Sequence, residues 1–175
     1  MLKIAITGPE STGKSTLAQQ LAQHYGVPWV PEYAREYIAH LGRPYEAHDL
    51  EKIARGQLQR WQEVLGAQPP LVLYDTELLV LKIWSEHAYG VCAPWILQEL
   101  KRQDVDLYLL LNIDLPWEPD PQREHPHLRQ YFYDWYKREL EGLGVPYVAI
   151  SGSSEERLLN AIQAVEQVRQ LRSFQ

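Results

Sequence analysis

Short apolar runs and longer stretches with helical periodicity take turns along the whole chain. Leu2–Thr7 is apolar and followed by Gly8, which predicts a buried strand. After the glycine-rich stretch, Leu17, Ala18, Leu21, Ala22 and Tyr25 recur at the spacing of one helix face, and Gly26 ends that helix. Val27–Val30 predicts a second short strand. Glu32–Leu41 and His48–Leu65 predict helices; in the latter, Leu50, Ile53, Ala54, Leu58, Trp61 and Leu65 share a broad face. Pro69 and Pro70 break the chain before a third strand, Leu71–Tyr74, which ends at Asp75. Helices at Thr76–Tyr89 and Pro94–Arg102 precede an apolar strand at Leu107–Leu111. Asp114–His127 has prolines at 116, 119, 121 and 126 and charges of both signs; with no periodicity it reads as an exposed loop. A helix at Leu128–Leu143, a fifth strand at Pro146–Ile150 and a helix at Ser153–Leu171 complete the series. Ser153 and Glu156 suit a capping box, and Leu158, Ile162, Val165 and Val168 form the last helix's apolar stripe.

Such alternation predicts a three-layer α-β-α fold around a mainly parallel five-stranded sheet, one domain over residues 1–175. Composition agrees with a folded chain: 45% of the residues are hydrophobic and 23% charged. The net charge of −6 lacks the field that would hold a nucleic-acid backbone or an anionic membrane, so neither is expected as a partner. Cys92 is the single cysteine, which excludes an intramolecular disulfide and a cysteine-based zinc site. No apolar run approaches the roughly 20 residues that span a bilayer, and Met1 is followed by a strand rather than a signal-peptide pattern, so a cytoplasmic location is expected.

Candidate chemistry concentrates behind the first strand. Gly8-Pro9-Glu10-Ser11-Thr12-Gly13-Lys14-Ser15 matches G-x-x-x-x-G-K-[ST], with an apolar strand before it and an amphipathic helix after it. Glycine lets the backbone curl so that its N–H groups surround a polyphosphate, and the helix start adds free N–H groups and a positive dipole end. The loop residues Gly8 and Glu10 through Thr16 are therefore expected to hold ATP, with Lys14 on the β/γ oxygens and the Ser15 hydroxyl on Mg²⁺. A guanine-reading Asn-Lys-x-Asp motif is missing, since Asn112-Ile113-Asp114 lacks the lysine and the spacing. An AAA+ motor needs more length and further arginine-bearing elements, so a small-molecule kinase is the better fit.

A kinase must orient an acceptor hydroxyl, take its proton and shield the transferring group from water. Glu32 and Asp75 fall at the carboxyl ends of the second and third strands, where ligands gather in parallel sheets. Glu32 is placed to accept a proton. Asp75 has the position of a Walker-B-like carboxylate, able to hold the Mg²⁺ shell or contact the acceptor. Arg35, one helical turn from Glu32, either pairs with it or is solvated. The segment 114–129 reads as a proline-stiffened lid. It carries Arg123 and Arg129, cations that could arrive on closure, and Trp117, which could stack on a flat cationic ring or pack the lid. His125 and His127 read as solvated, and Trp29, Trp61, Trp84, Trp95 and Trp135 as packing residues. Arg35 and Arg43 leave open an acceptor that already bears a phosphate.

The chain resembles the ribosylnicotinamide kinase domain of NadR-type proteins, relatives of the P-loop nucleoside and nucleotide kinases. The likeness is carried by the phosphate loop through Leu17, by Glu32-Tyr33-Ala34-Arg35-Glu36-Tyr37, by Asp75-Thr76, and by Pro116-Trp117-Glu118-Pro119-Asp120-Pro121-Gln122-Arg123. It implies transfer of the γ-phosphoryl of ATP to the 5′-hydroxyl of nicotinamide riboside. It implies Glu32 as the base, Asp120 and Arg123 in a substrate-binding lid, and the cationic ring beside Trp117 or Tyr33. Arg35 joins the acceptor side, and the Ser151-Gly152-Ser153-Ser154 turn is where related kinases place adenine. NadR-type proteins usually add an adenylyltransferase domain, and this chain is expected to carry none. Pro121 departs from the glycine often found in such lids.

Overall fold

Five strands form one parallel sheet in the order β2-β3-β1-β4-β5: Leu2–Thr7 (β1), Trp29–Val30 (β2), Leu71–Asp75 (β3), Leu107–Leu111 (β4) and Tyr147–Ile150 (β5). The computed structural model describes residues 1–173. The helices are Lys14–Tyr25 (α1), Tyr33–Leu41 (α2), Ala47–Gly66 (α3), Leu78–Tyr89 (α4), Pro94–Arg102 (α5), Arg129–Leu143 (α6) and Ser154–Ser173 (α7). Among the described residues no helix is long and apolar enough to cross a membrane.

Strand alternation sorts the core into two layers. Ala5, Val72, Tyr74, Tyr108 and Leu110 face the apolar residues of α2 to α6, whereas Ile4, Ile6, Leu71, Leu73, Leu107 and Leu109 face α1 and α7. Each of the buried Leu, Ile and Val side chains among these contributes about 2 kcal/mol of burial free energy. The strands carry side chains from both layers, which is why they read as continuous apolar runs. Their carboxyl ends lie along one edge and bring together Gly8, Glu32, Asp75 and the turn after β4.

Two elements start two residues later than expected, for identifiable reasons. The second strand is only Trp29–Val30, because the Val27 amide donates to Ala22 O at 3.1 Å in the turn that closes α1. The fourth helix begins at Leu78 rather than Thr76. Thr76 adopts a left-handed φ of 76°, and Glu77 is extended with its carboxylate accepting the Leu79 amide at 2.5 Å.

Glu77 also ties three elements together. Its carboxyl accepts from the Thr7 hydroxyl at 2.9 Å, at the end of β1, and from Gln103 at 3.4 Å, just beyond α5. Burial pushes its pKa from 4.5 up to about 7, against the pull of these donors. Between those values the folded chain keeps a proton that the unfolded chain has released, so stability falls as pH rises through that window. Glu77→Gln keeps the shape and removes the titration. By about pH 8 the variant is expected to gain at most about 3 kcal/mol on the wild type relative to their difference near pH 5. Melting curves that run parallel for the two proteins across this range would refute the assignment.

Candidate active site

The phosphate loop leaves β1 at Gly8, whose φ is 133°. A Cβ there would sit 3.0 Å from Leu111 O, so only glycine lets the loop turn against the end of β4. The Thr12 hydroxyl donates to Pro9 O at 2.8 Å and rigidifies the curl, and Gly13 starts α1 in a left-handed conformation. Lys14 Nζ donates to Gly8 O at 2.9 Å and Pro9 O at 2.8 Å. Burial lowers the Lys14 pKa, while the carboxylates of Glu32, Asp75 and Glu10 oppose that shift. One ammonium therefore faces three carboxylates.

Glu32 occupies the N-cap position of α2, yet its side chain makes no capping bond and lines the site cavity. Burial raises its pKa; Lys14 pulls it down and Asp75 pushes it up. Asp75, at the end of β3, is 1% exposed. Burial raises its pKa, and a hydrogen bond with the Ser15 side chain and the charge of Lys14 lower it. Its Oδ1 is buried with no partner. An orphaned carboxylate oxygen beside a hydroxyl suits a hard divalent cation completed by phosphate oxygens. Among the described residues no set of three or more His, Cys, Asp or Glu forms a cage by itself.

The lid segment is not the free loop its composition suggests; it lies across the phosphate loop. The Glu118 amide donates to Ser11 Oγ at 2.8 Å, and the Glu124 and His125 amides donate to the Glu10 carboxylate, each at 3.1 Å. Arg123 donates to Glu118 O, and to Ser11 Oγ at 3.4 Å. Arg129 spends its guanidinium on Leu115 O at 2.9 Å and Ser11 O at 3.2 Å. Arg35 pairs with Asp120 of the lid at 2.8 Å rather than with Glu32.

A cavity of about 710 Å³ joins these parts. It is lined by Gly8, Glu10 through Thr16, Glu32, Arg35 and Arg123, and also by Tyr45, Trp84, His87, His125 and Phe132. Tyr33, Asp75, Trp117, Asp120 and Arg129 do not line it. The Tyr33 ring lies 4.7 Å beneath the Arg60 guanidinium, and Trp117 packs 6.0 Å from that of Arg129. The aromatic surface at the cavity comes instead from Trp84, whose indole N–H donates to the Tyr45 hydroxyl at 2.9 Å, and from Phe132. His125 is not simply solvated: its ring meets His87 at 4.7 Å and Phe132 at 5.4 Å.

Arg157 of α7 is 3% exposed and also lines the cavity. It donates to Thr12 O at 3.0 Å and Gly152 O at 2.9 Å and pairs with Asp114, which in turn accepts the Gly152 amide at 2.6 Å. Burial lowers its pKa and the Asp114 charge opposes this. Nothing in its sequence context separates Arg157 from a solvated arginine in a first helical turn.

A family model described as an AAA domain matches residues 3–157, a span that takes in the phosphate loop, both carboxylates, the lid and Arg157. The chain belongs to the AAA domain family. Family membership carries the nucleotide-binding architecture and assigns no reaction. This AAA domain is homologous to the trifunctional NAD biosynthesis/regulator protein NadR of Escherichia coli (strain K12), 27% identical over 172 residues. The match takes in 94% of this chain and 42% of that relative, so the chain spans less than half the relative's length. Its fold matches crystal structures of NadR in complex with NAD and AMP-PNP, at 23% identity, and in complex with NR, at 22%. Both superpose with a TM-score of 0.74 over 95% of this chain, covering 49% and 50% of those chains. Deoxyadenosine kinase from M. mycoides with bound dCTP shares the fold at a TM-score of 0.58 and 13% identity, over 95% of this chain and all of that one (100%). The three-layer fold with its five-stranded parallel sheet is thus shared with these structures.

Proposed function

We propose that this chain transfers the γ-phosphoryl group of ATP to the 5′-hydroxyl of a nucleoside, and that the nucleoside is nicotinamide riboside, giving nicotinamide mononucleotide. The carrying observation is one cavity lined by the phosphate loop, by an uncapped Glu32 and by an aromatic group. Homology to NadR agrees with this reading. A second feature favours a nucleoside over a nucleotide acceptor. The two arginines that could have received an acceptor phosphate are engaged: Arg35 by Asp120, and Arg43 by the fully buried Asp49 at 2.8 and 3.0 Å.

In this mechanism the backbone amides of residues 10–16 and the Lys14 ammonium grip the triphosphate. Ser15 and the free Asp75 oxygen would hold Mg²⁺, which would supply charge neutralisation to the triphosphate. The acceptor oxygen forms a bond to the γ-phosphorus as the bond from that phosphorus to the β-bridging oxygen breaks. The hydroxyl proton passes to Glu32, and ADP departs. Arg123, in the lid, meets the charge on the equatorial oxygens. Ser153, Ser154 and Arg157 line the side assigned to adenine. Coupled ADP release over a panel of nucleosides and monophosphates tests the reading. Stimulation by nicotinamide riboside alone is expected; stimulation by AMP or UMP instead would overturn it.

The aromatic part of the cavity makes a further demand. A cationic ring is favoured by Trp84 and Phe132 only while His87 is neutral. Burial lowers the His87 pKa below its ordinary 6.5, the His125 ring pushes the same way, and Glu124 and Glu10 oppose. His87 is therefore neutral near pH 7 and charges as pH falls through its lowered value. The affinity for nicotinamide riboside, read by calorimetry, is expected to weaken about tenfold as pH falls from neutrality through the lowered His87 value, a charge–charge cost of about one pKa unit. Benzamide riboside, its uncharged isostere, should change little. Equal losses for both ligands would exclude His87 as the cause.

A further inference from the structure

The fold holds Glu32 weakly by its own element. Strand β2 is two residues long and its last paired residue is Val30, opposite Tyr74. Helix α2 starts at Tyr33, and Glu32 gives no side-chain bond to that helix end. A base that must meet an acceptor proton within hydrogen-bond reach needs firmer support than this. The Glu32 backbone is hydrogen-bonded to the Asp75 carboxyl, and helix α3 adds support on either side of it. Gln57 is 1% exposed, and its amide oxygen accepts the Tyr33 N–H at 2.7 Å. Its amide nitrogen donates to Pro31 O at 3.3 Å. The two bonds fall on the residues immediately before and after Glu32.

We propose that Gln57 is the positioning residue for Glu32, fixing the base through the backbone on either side of it. The inference rests on the reading of Glu32 as the base. An amide carries one acceptor and one donor at the same reach, which matches a carbonyl and an N–H two residues apart. A carboxylate would lose the donor, and a thioether would lose both. Gly56, the preceding residue, permits the approach: a Cβ there would sit 2.2 Å from the Tyr33 ring. The glycine brings α2 onto α3, and the glutamine uses the resulting contact to lock three residues of chain. Gln57 is 24 residues from Tyr33 and 26 from Pro31 and does not line the cavity, so it acts through Glu32 and not on the substrate.

A double-mutant cycle with an exchange measurement tests this. Gln57→Met preserves length and removes both bonds. It is expected to lower kcat about 30-fold, within the loss that a small misplacement of a reacting group causes, with both KM values within about threefold. In the Glu32→Gln background the same change is expected to cost less than about threefold, because its target is already gone. Hydrogen exchange at the Tyr33 amide should accelerate at least about tenfold in Gln57→Met. A full 30-fold loss in the Glu32→Gln background, or a normal kcat with an accelerated Tyr33 amide, overturns the positioning role and leaves the base intact. A Glu32→Gln enzyme of wild-type rate overturns the base, and the positioning role with it. Should Gln57→Met not fold, Gln57→Glu, which keeps the acceptor for the Tyr33 amide, takes its place in both backgrounds. It is then expected to protect Tyr33 while still lowering kcat, with the loss again vanishing beside Glu32→Gln; a loss that persists there overturns the proposal.

Discussion

Lys14→Ala is expected to slow nucleoside-dependent ADP release by about a thousandfold, the scale set by deleting one preorganised donor to developing charge. The ammonium is faced by Glu32, Asp75 and Glu10, and Arg123, the cation beside it, is engaged by Glu118 O and Ser11 Oγ. Removal of the ammonium also leaves the negative charges of that corner less compensated, which should weaken ATP itself. A thermal-shift titration with ATP and magnesium, run beside the rate assay, separates the effects: the variant should melt as a folded protein and gain much less from the nucleotide. Ordinary turnover in Lys14→Ala would discard the phosphate-loop assignment. Gly8 O loses the Lys14 donor while Pro9 O keeps the Thr12 hydroxyl, so global stability is expected to fall by about 1 to 3 kcal/mol.

Glu32→Gln carries the second large effect. A positioned general base contributes about 10²- to 10⁴-fold, and the amide keeps the size of the carboxylate while losing its basicity. We expect kcat to fall in that range with acceptor affinity within about threefold of wild type. The pH dependence follows from the environment. Burial raises the Glu32 pKa and Asp75 adds to it, while Lys14 holds it down, so turnover should rise with pH as Glu32 loses its proton and then level off. The rising limb should vanish in Glu32→Gln. A comparable loss seen only with Asp75→Asn would move the base to Asp75, whose free Oδ1 otherwise suits the metal.

The layers of the fold were legible because the strands are buried on both faces and therefore apolar throughout. The phosphate loop was legible because its chemistry constrains consecutive residues. Other parts of the site answer to contacts far apart in the chain. Arg157 meets Thr12 across 145 residues, Glu77 meets Thr7 across 70, and neither leaves a periodic or compositional trace. Trp84 reads as a packing residue because a helical tryptophan at apolar spacing looks the same whether its outer edge meets protein or cavity. The lid composition spoke of solvent, yet its backbone amides are satisfied by Glu10 and Ser11, and backbone bonding is invisible to side-chain patterns. Trp117 was a candidate for ring stacking on residue type, and Tyr33 on the family resemblance. Their partners, Arg129 and Arg60, give each ring another use.

The placement of β1 also governs how the molecule comes into being. Of the five strands of this sheet the first made is the central one, and its neighbours lie at 71–75 and 107–111. During synthesis one edge of β1 waits for β3 and the other for β4, and the phosphate loop cannot take its final shape against Leu111 before residues 107–111 have left the ribosome. Ribosome-bound chains stalled short of residue 107 should accordingly be clients for chaperones, whereas the released full chain should not.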